Sequence, residues 1–311
     1  MQTIIITGAT SGIGYECALE LARMAPDKQI IIPCRNLQSG QKIVQQIQQH
    51  TRHQHVICMP LDLESLQSVR EFVQLFSEQP HRELVALLNN AGIQHADETR
   101  STKDGFEATF GVNHLAPFYL TLLLLPFMSA GSSITFTASG THDPKQTTGM
   151  PAPVYTNAEQ LAYPEKMDES PVAVGQKRYT TSKLCNVLTT YSLQKRIEKL
   201  NIRVNAFDPG FVPGTGLARS YSPFLKFISN YIFKLLILLH PNVHTARQSG
   251  KSLANLAYGD TYKVYTGKYF EGKKEILSSE DSYRQDLQKD LWETSLKLIG
   301  IKPEQTSISL Q

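Results

Sequence analysis

The 311-residue sequence predicts a single α/β domain, a doubly wound parallel sheet flanked by helices. Three observations carry that expectation. Short apolar runs of strand length are continuous rather than alternating, as expected for strands buried on both faces. Amphipathic stretches of helix length separate them, the rhythm of right-handed β–α–β crossovers. No fixed repeat and no low-complexity linker divides the chain, so residues 1–311 read as one unit.

The elements follow in order. IIIT (4–7) is the first strand, and TGATSGIG (7–14) turns it into the helix YECALELARM (15–24). IIIP (30–33), the helix SGQKIVQQIQQ (39–49), VICM (56–59) and the helix LQSVREFVQLF (66–76) continue the alternation. LVALLN (84–89) precedes the long apolar helix TFGVNHLAPFYLTLLLL (109–125). ITFT (134–137) and VNAF (204–207) complete the strands, with a helix through RYTTSKL (178–184) between them. Two segments break the rhythm. Residues 141–177 hold five prolines and little periodicity, an insertion before the RYTTSKL helix. Residues 211–243 begin FVPGTGLARS and turn strongly apolar. Long irregular segments in a compact domain tend to be functional lids, and both leave the carboxyl ends of strands, where ligands of such sheets bind.

Composition excludes several classes. Lys plus Arg is 31 against 28 Asp plus Glu, a net charge of +3, which provides no concentrated basic face for nucleic acid. Cys17, Cys34, Cys58 and Cys185 form no CxxC pair and read as reduced thiols. His50, His53 and His55 lack metal-ligand spacing, so no metal is expected. The chain enters its first strand without a basic, apolar leader, and no apolar run reaches the ~18 residues of a membrane span. A cytoplasmic location is the expectation. The nearest apolar run, 224–239, is interrupted by Lys226, Ser229, Asn230 and Lys234. It reads as a lid over a bulky substrate, as a peripheral contact with a bilayer surface, or as a buried helix pair.

The chemistry-bearing residues cluster near strand ends. In TGATSGIG, Gly8, Gly12 and Gly14 let the backbone approach a pyrophosphate at a helix N-terminus. A lone glycine triplet is a weak signal, but a strand before it and a helix after it are the confirming context of a dinucleotide site. The end of the second strand selects the dinucleotide. NAD sites place an acid there for the ribose 2′-hydroxyl, whereas NADP sites use arginine for the 2′-phosphate. From Lys28 to Leu61 the chain has no carboxylate, and Arg35 stands where the acid would be, so NADP(H) is expected. Tyr179 and Lys183 are four apart, neighbours on one helix face. A cation beside a phenol favours the phenolate, which lets the tyrosine exchange a proton with an alcohol or carbonyl near neutral pH.

Taken together, TGATSGIG, NNAG (89–92), Asn113, Ser139, YTTSK and DPG resemble the short-chain dehydrogenase/reductase family, in that order and over nearly the whole chain. The resemblance implies a Rossmann-like domain that moves hydride between a nicotinamide and a carbonyl or alcohol. It implies Tyr179 as general acid/base, with Lys183 lowering its pKa and holding the nicotinamide ribose. Ser139 would orient the substrate oxygen, and Asn113 would anchor a relay water. Gly8, Ser11, Gly12, Ile13 and Gly14 would line the phosphates, with Arg35 and Asn36 at the 2′-phosphate. Asp62 and Leu63 would bracket the adenine, and Asn90, Ala91 and Gly92 would lie along the cofactor. Pro209, Gly210 and Val212 would back the nicotinamide. Within the family the chain is similar to retinol dehydrogenase-like reductases and to light-dependent protochlorophyllide reductases. The 39 residues between Ser139 and Tyr179 favour the second branch. Phe211 where that branch has cysteine, and Ser139 where it has threonine, favour the first. A lipophilic carbonyl or alcohol is the expected substrate, and both monomer and homodimer fit. A photoenzyme reducing C=C and a non-catalytic NADP(H) sensor are the alternatives.

Overall fold

The computed structural model describes residues 1–95, 98–165, 168–213 and 244–309. Its centre is one eight-stranded sheet in the order β3-β2-β1-β4-β5-β6-β7-β8. The strands are β1 (Thr3–Ile6), β2 (Gln29–Cys34), β3 (Val56–Pro60), β4 (Leu84–Asn89), β5 (Met128–Thr137), β6 (Arg203–Asp208), β7 (Lys268–Glu271) and β8 (Lys274–Ile276). β1 through β7 pair in parallel and β8 returns antiparallel. Strand order reverses between β1 and β4, which opens a crevice at their carboxyl ends.

The helices are α1 (Gly12–Met24), α2 (Leu37–Thr51), α3 (Leu66–Ser77), α4 (Ala108–Phe127), α5 (Ala158–Ala162), α6 (Pro171–Arg196), α7 (Ala246–Tyr258) and α8 (Gln285–Ile299). Side chains alternate across the pleat, so the continuous apolar strands feed two cores. Ile4, Ile6, Ile30 and Ile32 face α1 and α7, packing with Cys17, Leu21, Leu253 and Ala254. Ile5, Ile31, Leu87 and Phe136 face the other way, onto Phe72 of α3, Leu120 of α4, Leu188 of α6 and Trp292 of α8. Two crossings fix these layers. An ideal Cβ on Gly250 of α7 would sit 2.6 Å from the Glu16 Cβ, so α7 meets α1 at glycine contact. The Arg196 guanidinium lies 4.1 Å from the Trp292 ring centre, tying α6 to α8.

α4 is the one helix among the described residues long and apolar enough to cross a membrane, and 89% of its most apolar window is buried inside the protein. It is a core helix, as its all-round hydrophobicity requires.

Several boundaries differ from the expectation. α6 starts at Pro171, inside the segment read as insertion. Ser170 caps it by accepting from the Ala173 N–H at 3.3 Å, and Pro171 at the first helical position suits its fixed φ. β5 begins six residues before ITFT. β7 and β8 carry no long apolar run: β7 is only four residues long, and β8, three residues with Lys274 and Glu275, is the charged edge of the sheet. The apolar segment 224–239 and most of the expected lid, 214–243, lie outside the described residues.

Candidate active site

The glycine turn is built by close backbone approach. Gly8 and Gly12 take φ of +67° and +59°, left-handed values that cost other residues energy. A Cβ on Gly14 would lie 2.3 Å from the Gly8 carbonyl oxygen, and one on Gly8 would lie 2.7 Å from the Ala91 Cα. β4 holds the turn in place. The Asn90 side-chain amide donates to the Thr7 and Gly8 carbonyls at 3.0 and 3.3 Å, and the Asn90 and Ala91 N–H groups donate to Thr7 Oγ1 at 3.1 and 3.0 Å. Ser11 stands at the α1 N-cap without a side-chain capping bond. The first N–H groups of α1 are therefore left for a ligand anion or solvent.

This turn opens into a groove of about 660 Å³. Gly8, Ser11, Gly12, Ile13, Gly14, Arg35, Asn36, Asp62, Leu63, Asn90, Ala91 and Gly92 all line it, which brings together the expected phosphate, 2′-phosphate and adenine positions. Asn36 caps α2 by accepting from the Ser39 N–H at 2.9 Å. Arg35 Nη1 donates to Glu64 Oε1 at 3.1 Å. Asp62 accepts from the Glu64 N–H at 3.1 Å and from Lys103 Nζ at 2.8 Å. Burial would raise the Asp62 pKa, but the Lys103 hydrogen bond and the Glu64 N–H outweigh it and hold the carboxyl below its ordinary range. The fit for a dinucleotide is physical: a cradle too tight for any Cβ, a helix start with open donors, and a guanidinium at the far end.

The other end of the site is dry. Tyr179 and Lys183 lie one turn apart on α6, both buried, with the ammonium 5.3 Å from the phenol ring centre. Lys183 donates to the Thr137 carbonyl at 3.0 Å, and Asn186 donates to the same oxygen at 3.0 Å. That oxygen, at the end of β5, docks α6 to the sheet two residues before Ser139. Burial lowers the Lys183 pKa to about 8, and only the buried Asp208 pulls it back. A Cβ on Gly92 would lie 3.4 Å from Asn113 Oδ1 and 3.5 Å from Lys183 Nζ, so the NNAG segment reaches both. Asn113 sits in a π turn, Gly111–Leu115, inside α4, the kind of helix distortion that recurs at functional positions. Its amide donates to the Ile93 carbonyl at 2.9 Å and to Ser182 Oγ at 3.0 Å, and accepts from the Ile93 N–H at 2.8 Å. Ser139 Oγ accepts from the Thr141 N–H at 3.3 Å, and the Ser139 carbonyl meets His142 Nδ1 at 2.7 Å. With Nε2 accepting from the Ser279 N–H at 3.0 Å, His142 is the neutral Nδ1–H tautomer, and burial lowers its pKa accordingly.

The DPG turn closes this end. Asp208 accepts from the Gly210 N–H at 2.8 Å and from the Tyr269 hydroxyl at 2.9 Å. Burial pushes its pKa up to about 6, against those hydrogen bonds. The Pro209 carbonyl accepts from Ser249 of α7 at 2.7 Å, Gly210 has φ +72°, and Val212 is buried while Phe211 is exposed. Sequence reasoning assigned no role to Asp208, Ser182, His142 or Glu64. Asp208 had a readable sign, a carboxylate ending a strand beside Pro-Gly. The other three act through partners 29 to 137 residues away, which no local pattern reveals.

Residues 2–152 match the short chain dehydrogenase family model. Human retinol dehydrogenase 13 is 33% identical over 307 residues, covering 97% of this chain and 85% of that protein. Among solved structures, an uncharacterised protein from Mycobacterium paratuberculosis is 27% identical with a TM-score of 0.68, over 97% of this chain and 94% of its own. The angucycline C-6 ketoreductase LanV, solved with bound NADP, is 18% identical with a TM-score of 0.64, over 88% and 95%. The chain therefore belongs to the short-chain dehydrogenase family, in its retinol dehydrogenase-like branch, and is an oxidoreductase acting on the CH–OH/C=O pair.

Proposed function

We propose that the protein is an NADP(H)-dependent reductase or dehydrogenase of a bulky lipophilic carbonyl or alcohol, with Tyr179 as general acid/base. The observation that carries the reading is the buried Tyr179–Lys183 pair, locked to the end of β5 through the Thr137 carbonyl. Bound NADPH would supply the hydride. Tyr179 would give its phenolic proton to the substrate oxygen as the carbon is reduced, and recover it in the reverse direction. Lys183 favours the phenolate left behind, because a cation in a dry site stabilises a neighbouring anion far more than it could in water. Its remaining N–H donors suit the ribose hydroxyls. Ser139 would hold the substrate oxygen.

The Asn113 side chain is committed to Ile93 and Ser182, so anchoring of a relay water would fall to its main chain, where a π turn loosens the usual hydrogen-bond ladder. Gly8, Ser11, Gly12, Ile13 and Gly14 would take the pyrophosphate, Arg35 and Asn36 the 2′-phosphate, Asp62 and Leu63 the adenine. Asn90, Ala91 and Gly92 would run along the cofactor, and Pro209, Gly210 and Val212 would back the nicotinamide. Arg35 supports the phosphate-bearing dinucleotide. The similarity to a retinol dehydrogenase supports a large apolar substrate.

The test is oxidation of NADPH in the dark against a panel of lipophilic aldehydes and ketones, with NADH and Tyr179→Phe in parallel. Turnover lost by a factor of about 10² to 10⁴ in the variant is expected for removal of a general acid. Unimpaired turnover by Tyr179→Phe would remove the tyrosine from the mechanism. Tight binding without turnover on any carbonyl would sink the reductase reading.

A further inference from the structure

At the adenosine end of the groove, the acid that is missing from the end of β2 arrives from the loop between β3 and α3. Glu64, four residues beyond the end of β3, places its carboxylate on Arg35, Nη1 to Oε1 at 3.1 Å. It is not a stray surface charge. Asp62 accepts the Glu64 N–H, the Glu64 carbonyl accepts the Lys103 N–H at 2.8 Å, and Lys103 bonds back to Asp62, so the Glu64 backbone is held from two sides. Arg35, Asp62 and Glu64 all line the same groove.

We propose that Glu64 is a specificity-determining residue of the nucleotide site: it weakens the hold of Arg35 on a 2′-phosphate and offers an acceptor to a ribose 2′-hydroxyl, so that the site takes both NADPH and NADH in a ratio set by Glu64. The inference rests on the nucleotide reading above. Two opposing effects of the carboxylate decide its sign. Holding Arg35 in place saves side-chain entropy when a phosphate arrives. Against that, a phosphate monoester carries a charge approaching −2, and a carboxylate already sharing the guanidinium repels it. The pair is substantially solvent-exposed, with 61% of the Arg35 side chain and 34% of the Glu64 side chain accessible. Pre-orientation gains little for a side chain that stays half in water, while repulsion of a dianion is the stronger effect at low salt. A 2′-hydroxyl brings no charge and can donate to the carboxylate, as it does to the acid at the end of β2 in NAD sites.

The experiment is calorimetric titration of the wild type and Glu64→Gln with NADPH and NADH, and with 2′,5′-ADP and 5′-AMP as fragments, at low and high salt. For Glu64→Gln the expected result at low salt is NADPH bound about three- to tenfold tighter and NADH about threefold weaker. The fragments should shift in the same directions, and the NADPH gain should shrink at high salt. An NADPH-to-NADH affinity ratio unchanged within about twofold, or tilted towards NADH, would overturn the proposal while leaving the nucleotide site standing. Failure of the wild type to bind either dinucleotide would overturn the site itself and this inference with it. The unfolding temperature of the exposed-site variant, expected to match the wild type, checks that the shift is local.

Discussion

The two ends of the site use the same charge types under opposite conditions. At the adenosine end, Arg35, Glu64, Lys103 and Asp62 pair at 2.8 to 3.1 Å on the surface. At the other end, Lys183 and Asp208 are 3% and 1% exposed. In water each pair contributes little and is readily exchanged for a ligand, which suits recognition. In the dry end the cost of burial dominates: it lowers Lys183 to about 8 and raises Asp208 to about 6. Distance alone does not set what a charge does here; exposure does. Shifted pKa values of this kind are costly to the fold and useful to chemistry near neutral pH.

Lys183→Met puts the contrast between wet and dry ends under the greatest strain. Turnover should fall by about 10² to 10⁴, while stability at pH 7 should rise. Lys183 has a folded pKa below its unfolded value, so its charged form destabilises the fold fully below about pH 8, and the penalty fades as pH climbs towards 10.5. The shift corresponds to about 3 kcal/mol, from which loss of the Thr137 hydrogen bond takes about 1. Urea unfolding at pH 7 and at alkaline pH should show a more stable variant whose advantage narrows with rising pH. A less stable variant at pH 7 would mean the ammonium is well solvated and the dry description wrong.

His114 tests burial without a functional charge. It lies beside Asn113 in the π turn, bonded through Nε2 to Ser295 Oγ of α8 at 2.8 Å, and burial lowers its pKa to about 3. The unfolded histidine takes a proton below about 6.5 and the folded one does not, so the histidine's contribution is intact above 6.5 and is lost progressively as pH falls towards 3. Between pH 7 and pH 5 this costs about 2 kcal/mol. His114→Gln should lower stability at pH 7, yet lose less of it on acidification than the wild type. Parallel acid slopes in the two proteins would show that His114 is protonated in the fold.

The smallest effect belongs to the wet end. Lys103→Ala removes the cation from Asp62, and because Lys103 is two-thirds exposed the loss of stability should be small and vanish in high salt. Thermal melts at two ionic strengths are enough. A large loss that persists in high salt would mean that the exposed charges carry the structure as the buried ones do.

Much of the molecule is legible from the order of its residues. Continuous runs such as III at 30–32 and LVALLN at 84–89 need no context, because a strand buried on both faces has to be apolar throughout. TGATSGIG and YTTSK are readable for a similar reason: their chemistry is local, a backbone turn in one case and one helical turn in the other. The parallel sheet, the glycine cradle and the Tyr179–Lys183 face therefore follow from the chain alone. That β7 and β8 finish the sheet emerges only in three dimensions, since strands of four and three residues carrying charges imitate loops. The same is true of Thr137 docking the Tyr179 helix, of Asp208 lying buried beneath the DPG turn, and of an acid reaching Arg35 from beyond β3. Those relations join residues that are distant along the chain. Their energies depend on exposure and on distance through space, and a linear pattern encodes neither.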